Sequence, residues 1–335
     1  MTAHTFARFS DCFWLLIELL PLSLRVVDMD INGHSSPPPG RAGTSVQDVR
    51  SFVLDGVRQV YRVAGEGPVC LVHSGGPGVH PEYLRMPALE RRLTLVYIDP
   101  VGSGDSDSLP DGDYSLTRYA RFAKAVLDDI GAPTAFFLGH SHGGFVALQF
   151  AIDYPDRLDG LILYDTAPVS GPELTRSATT RMASFVQRWP DRLEALEAGR
   201  AWEEAVVTGT RKIDDDASHA RHLNTLLPAY YADYRKTLAE AGDLTLRVRH
   251  DPNRRPVDWD VRDRLSTIDV STLVIVGAYD FICPPRYAYE LVAGRPESRL
   301  CELRESGHFG HIEEAAAFAD AVLRFIDDHK ESDTA

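Results

Sequence analysis

The sequence is poor in the residues that staple, anchor or grip phosphate. It has only four cysteines in 335 residues, Cys12, Cys70, Cys283 and Cys301, with no C-x-x-C pair and no Cys/His cluster at zinc spacing. That excludes a disulfide scaffold and a zinc module, so no metal is expected. Buried free thiols in a reducing cytoplasm are the expectation. No G-x-G-x-x-G fingerprint follows the first strand pattern and no P-loop is present, so no cofactor is implied. Basic charge is scarce as well. Lys and Arg number 35 against 49 Asp and Glu, a formal net charge of -14. Binding a phosphate backbone takes clustered Lys and Arg, which argues against nucleic acid as a partner. The one basic run, Arg247 to Arg255, is broken by Asp251 and Pro252 and reads as a solvated loop.

Long apolar runs are also missing. Phe13 to Val27 is apolar for about 15 residues but carries Glu18 and Arg25 and is broken by Pro21. A spanning helix needs about 20 apolar residues, so no membrane span is expected. A signal peptide would need a basic start and a small-residue cleavage site, and neither is evident. Ser35 to Thr44 (SSPPPGRAGT) reads as a linker. Residues 1–45 are therefore expected to be an extension and linker, with the folded domain beginning at Val46.

What remains alternates. SFVLDG and VRQVYRVAG, from Ser51 to Gly65, form a hairpin pattern. PVCLVH (Pro68 to His73), LTLVYI (Leu93 to Ile98), AFFL (Ala135 to Leu138), Leu161 to Tyr164, Leu273 to Val276 and Arg299 to Leu303 read as buried strands. Helical spacing marks Tyr114 to Ile130, Phe145 to Ile152 and Ala315 to Ile326 between and after them. This order predicts an α/β fold, a mainly parallel eight-stranded sheet with helices on both faces. The rhythm breaks once, over residues 167–267. Helical patterns such as Met182 to Arg200 and Asn224 to Ala241 replace strands there. That stretch is expected to be a helical cap inserted over the carboxyl edge of the sheet, between core segments 46–166 and 268–335.

Chemistry concentrates at Gly139-His140-Ser141-His142-Gly143-Gly144, directly after AFFL and before a helix. G-x-S-x-G between a strand and a helix is the setting of a nucleophile elbow. A serine hydroxyl needs a base, and an acid to orient it, in the order Ser, Asp, His. His308, in S-G-H-F-G after the last strand, is the expected base. Asp280, after LVIVGAY, is the expected acid, with Asp165 as its rival. His140, His142 and His311 are read as packing or supporting residues. The backbone N–H of His142 and one from Gly75 or Gly76, with Gly75 preferred, are the expected oxyanion donors. The two glycines lie on the loop His73-Ser74-Gly75-Gly76-Pro77-Gly78.

Taken in order, these residues resemble the α/β-hydrolase superfamily, and H-S-G-G-P-G resembles the loop of its proline iminopeptidase branch. Asp99 to Asp107 (DPVGSGDSD), the elbow, G-A-Y-D at Asp280 and S-G-H-F at His308 fit the same pattern. Ser74 replaces a loop glycine, and His142 stands where many iminopeptidases have tryptophan. The resemblance implies a Ser-His-Asp triad, an acyl-enzyme and release of an N-terminal proline from a short peptide. It also implies a cap carboxylate for the substrate's amine. Glu203 and Glu204, beside Trp202, are the candidates; a solvated helix face is the other reading. Tyr230, in PAYYADY (Pro228 to Tyr234), would suit an aromatic acyl group. An esterase, lactonase or carbon–carbon bond hydrolase would use the same triad on a small molecule without an amine. A ligand-binding protein without turnover is a third reading, against which the intact triad argues.

Overall fold

Asp55 and Gly56 turn the chain between two strands, β1 (Asp48–Leu54) and β2 (Val57–Ala64), which pair antiparallel as a hairpin. The computed structural model describes residues 47–241, 244–255 and 257–333. The expected extension 1–45 therefore lies outside the described residues. The remaining strands are β3 (Val69–His73), β4 (Thr94–Asp99), β5 (Ala135–His140), β6 (Leu158–Tyr164), β7 (Thr272–Gly277) and β8 (Arg299–Leu303). They form one eight-stranded sheet in the order β1-β2-β4-β3-β5-β6-β7-β8. β2 runs antiparallel to β1 and β4, and every other pair is parallel. Every residue of β5 and β7 is buried, as expected of central strands covered on both faces.

Alternate residues divide between two cores. Phe136 and Leu138 of β5 join one apolar cluster, and Ala135 and Phe137 join the other. Helices α1 (Pro87–Glu90) and α10 (Ala315–Asp333) cover the first face, through Leu89, Phe318 and Val322. Helices α2 (Leu116–Asp129), α3 (His142–Asp153) and α8 (Pro285–Gly294) cover the second, through Phe122, Phe150 and Leu291. A short turn, α9 (Gly310–Glu313), precedes α10. No helix among the described residues is long and apolar enough to cross a membrane. Cys70, Cys283 and Cys301 are free thiols.

Between β6 and β7 the chain makes α4 (Pro172–Arg188), α5 (Leu193–Trp202), α6 (Asp216–Tyr230) and α7 (Tyr234–Ala241). The pattern Met182 to Arg200 is thus two helices, not one. Pro190 disfavours helix at the residue before it, and Trp189 leaves the helical region at φ -125°, ψ 53°. The pattern Asn224 to Ala241 also breaks. Tyr231 is extended at φ -105°, ψ 150°. The break is fixed from outside: Tyr230 O accepts the His308 N–H at 2.6 Å, and Glu313 Oε1 accepts the Ala232 N–H at 2.8 Å.

Candidate active site

Ser141 follows the last residue of β5 and is held at φ 55°, ψ -120°, a conformation costly for a residue with a side chain. The glycines around it are demanded by the turn. A Cβ on Gly143 would lie 2.1 Å from His73 O, and one on Gly144 would lie 2.4 Å from the Thr166 side chain. The elbow therefore packs backbone against β3 and against the residues after β6, and only hydrogen fits there. His142 is the first residue of α3, where an N–H has no acceptor within its own helix.

His308 follows β8, and its Nδ1 lies 2.7 Å from Asp280 Oδ2. Asp280 follows β7 and is wholly buried. Its other oxygen accepts the N–H groups of Ile282 at 2.8 Å and Cys283 at 3.1 Å. A carboxylate held this way accepts a hydrogen bond from Nδ1–H and so leaves the lone pair on Nε2. Asp165, the rival acid, lies beside the pair but makes no hydrogen bond to His308 among the described residues: its Oδ1 accepts the Gly277 N–H at 2.8 Å. Burial, and then the neighbouring charge of Asp280, push its carboxyl well above the usual range.

Ser141 and His308 line one cavity of about 220 Å³, with Gly75, Gly76, Tyr83 and His140 on one side and Leu223, Tyr230, Leu246 and Ile282 on the other. Among the described residues, no carboxylate lines it. His219 also lines it and is kept neutral: burial, then His250 and His222, push it down to about 4. A larger cleft of about 500 Å³, lined by Arg188, Asp233, Lys236 and Glu313, does not contain Ser141.

Three expectations need correction here. Gly75 is not a free donor, because its N–H is committed to Tyr83 Oη at 2.8 Å. The N–H of Gly76 has no acceptor among the described residues. His140 is more than a packing residue. Its Nε2 reaches His308 O at 2.9 Å and its Nδ1 reaches Tyr83 Oη at 2.6 Å. A carbonyl only accepts, so Nε2 carries the proton and Nδ1 accepts from the tyrosine. Burial foremost, then His308 and His311, push the His140 pKa well down, consistent with that neutral ring. Tyr83 in turn is buried, and its own pKa is raised. The chain Gly75 N–H, Tyr83, His140, His308 O thus ties the β3 loop to the backbone of His308. His311 supports it from behind, bonding Tyr83 O at 2.9 Å and Tyr164 Oη at 2.9 Å.

The third correction concerns the acidic pair. Glu203 is exposed, and Glu204 pairs with Arg211 at 3.0 Å; neither lines the Ser141 cavity. Trp202 is buried behind the wall, with its ring 5.5 Å from Phe281 and its Nε1 on Thr179 Oγ1 at 3.1 Å. Of the four, only Tyr230 reaches the cavity, stacked 5.2 Å from Phe309. The Arg247 to Arg255 run is not wholly solvated either. Arg249 bonds Ser106 O at 2.5 Å and Arg254 bonds Gly102 O at 2.7 Å.

Tyr83 and Arg254 act across 57 and 152 residues of chain, which no local motif encodes. His140 was legible as a neighbour of the serine, but its partners were not. As for metals, His140, Asp165 and His308 bring ligand atoms within 4.8 Å of one another. Both His140 nitrogens are already hydrogen-bonded, which leaves that set no shared lone pair for an ion. A second group, His80, Asp99 and Asp105, is filled by the Arg62 guanidinium, which pairs with both aspartates.

Comparison with known proteins agrees with this architecture. A family model described as alpha/beta hydrolase fold matches residues 67–315. An uncharacterized protein of Mycobacterium tuberculosis is 32% identical over 293 residues, covering 82% of this chain and 80% of that protein. A 2-hydroxymuconate semialdehyde hydrolase of a Pseudomonas species is 26% identical, covering 83% of this chain and 93% of that protein. The crystal structure of a proline iminopeptidase from Mycobacterium smegmatis superposes with a TM-score of 0.61 at 20% identity, covering 85% of this chain and 99% of that one. At that identity the last likeness is one of fold.

Proposed function

This chain belongs to the α/β-hydrolase fold family, and we propose that it is a serine hydrolase that cleaves carboxylic esters or lactones of small apolar acyl groups. Ser141 is the nucleophile, His308 the general base and Asp280 the carboxylate that fixes the imidazole tautomer. The observation that carries the reading is the 2.7 Å bond between His308 and Asp280, made at the wall of the cavity that also holds Ser141. In this scheme His308 Nε2 takes the serine proton as Oγ attacks the carbonyl carbon. The negative charge that forms on oxygen is met by the N–H groups of Gly76 and His142. His308 then returns the proton to the leaving alkoxide, and water, activated the same way, releases the acid. We assign residues 167–267 the role of a cap, which supplies Leu223, Tyr230 and Leu246 to the apolar wall.

The aminopeptidase reading draws on the H-S-G-G-P-G loop and on likeness of fold. It requires a carboxylate at the substrate's ammonium group, because a buried cation without a partner is costly. Among the described residues, none lines the Ser141 cavity. A carbon–carbon bond beside a ketone is the second substrate class, favoured by the similarity to a hydrolase of 2-hydroxymuconate semialdehyde. The test is a panel of proline naphthylamide, short acyl nitrophenyl esters and a vinylogous diketone. Turnover of the esters, abolished in Ser141→Ala, is the expected result. Turnover of the naphthylamide alone would restore the peptidase.

A further inference from the structure

A second cavity, of about 180 Å³, shares Gly76 and Pro77 with the one that holds Ser141. Tyr114 and Tyr119 of α2, His142 and Phe145 of α3, and Arg254 on the chain returning to β7 form much of its wall. Among the described residues, no acidic side chain lines it.

Two of its buried polar atoms, the Tyr119 hydroxyl and Arg254 Nε, have no hydrogen-bond partner among the described residues. Tyr119 is 2% exposed, and its hydroxyl makes no hydrogen bond among the described residues. Arg254 forms no ion pair among them. One of its nitrogens, Nη2, bonds Gly102 O at 2.7 Å, the Tyr114 ring lies 4.6 Å from its guanidinium carbon, and its buried Nε donates to nothing. Arg254 is close enough to the Tyr119 hydroxyl to oppose the burial that raises that group's pKa. His142, whose ring lies 5.1 Å from Tyr119, makes no hydrogen bond through either ring nitrogen. The nearby carboxylate, Asp251, is already engaged: Oδ1 accepts the Asn253 N–H at 2.9 Å and Oδ2 accepts the Tyr114 hydroxyl.

An unmade hydrogen bond at a buried hydroxyl is costly, and so is a buried guanidinium N–H that donates to nothing. Unpaired cations are also unexpected in a chain with 49 acidic and 35 basic residues. What the cavity offers is donors: a guanidinium edge, a phenol and one imidazole N–H. That set fits a ligand that only accepts, is anionic and presents two oxygens in a plane. We propose that this cavity binds a carboxylate, and that the carboxylate is the charged end of the substrate whose carbonyl meets Ser141. The second half rests on the serine hydrolase reading; the first does not.

The experiment has two arms. The first compares kcat and KM for nitrophenyl hydrogen glutarate and nitrophenyl butyrate, which share a leaving group and differ in the terminal carboxylate. The wild type should prefer the glutarate monoester. Arg254→Gln should raise KM for it at least tenfold, with the loss confined to that substrate, and Arg254→Lys should recover part of it. Tyr119→Phe, which removes the hydroxyl that faces Arg254, should raise the same KM several-fold. The second arm titrates free glutarate by calorimetry into wild type and Arg254→Gln. Binding lost in the variant, without a preference between the esters, would keep the carboxylate site and make its ligand separate from the substrate. Equal losses on both esters, or neither glutarate binding nor ester discrimination in the wild type, would overturn the proposal. If the wild type hydrolyses neither ester, the hydrolase reading fails, and the calorimetry still decides the cavity.

Discussion

Two regions meet at the Ser141 cavity, and they are held in shape by different means. The loops after β3, β5, β7 and β8 are fixed by backbone. Gly143 has no room for a Cβ against His73 O, Asp280 takes two N–H groups from its own turn, and Gly75 gives its N–H to Tyr83. The segment between β6 and β7 is fixed by side-chain packing and long-range bonds. Leu193 and Val207 remain 66% and 51% exposed on it, while Ser170 and Val261 near its ends bond chain far away in sequence. Reaction geometry tolerates little movement, so it sits where backbone leaves no freedom. Selection among substrates can be carried by the more adaptable region.

The largest expected effects fall in the first region. Asp280→Asn should lower kcat by a factor on the order of 10⁴, since the imidazole loses the acceptor that fixes its tautomer. Asp165→Asn should stay within about tenfold, because Asp280 and not Asp165 bonds His308, and an amide oxygen still accepts the Gly277 N–H. Steady-state kinetics on a nitrophenyl ester measures both, and the reverse ranking would reassign the acid.

Tyr83→Phe comes next. It strips the acceptor from the Gly75 N–H and the donor from His140 Nδ1. Two buried groups left unpaired cost about 1–3 kcal/mol each. The loss should appear as a roughly tenfold to hundredfold fall in kcat with KM little changed, because the loop that holds the oxyanion donor loosens. A change in KM alone would make Tyr83 part of the substrate pocket.

The seam between the regions should respond to pH. Glu313 Oε2 accepts the Gly307 N–H at 2.6 Å beside His308, and Oε1 accepts the Ala232 N–H and the Thr237 hydroxyl of the inserted segment. Burial raises it from 4.5 to about 7, against the pull of those hydrogen bonds. Between these values the folded state holds a proton that the unfolded chain has released. Stability from this group is therefore full below pH 4.5 and is lost as pH rises towards 7. Glu313→Gln should flatten that slope, by about 1 kcal/mol per pH unit at its steepest. Urea unfolding of both proteins at several pH values measures it, and parallel profiles would rule the titration out.

The smallest effect is expected where the sequence expectation failed. Glu203→Gln with Glu204→Gln should leave kcat/KM for a neutral ester within about twofold, since neither side chain lines the cavity. A large rise in KM would bring the pair back to the site.

The same contrast explains what the sequence made legible. G-H-S-H-G-G, G-A-Y-D and S-G-H-F each encode a local turn after a short apolar strand, so the positions of Ser141, Asp280 and His308 at the ends of β5, β7 and β8 were legible. The sheet could be read for the same reason. The Gly75 assignment failed because its acceptor, Tyr83, is a side chain eight residues on that no turn pattern announces. Glu203 and Glu204 were chosen because the resemblance calls for a cap carboxylate and they follow Trp202, while Tyr230 reached the cavity through a helix break set by His308 N–H. Arg254 looked like part of a solvated run, yet its neighbours Gly102 and Tyr114 are more than a hundred residues away in sequence.

The central claim is that Ser141 is the nucleophile, and the most direct measurement is covalent. Folded protein treated with a fluorophosphonate, then digested and sequenced by mass spectrometry, should carry the adduct on Ser141. Ser141→Ala, folded by circular dichroism, should carry none. An adduct on another residue, or labelling of the alanine variant at the wild-type rate, would contradict the account.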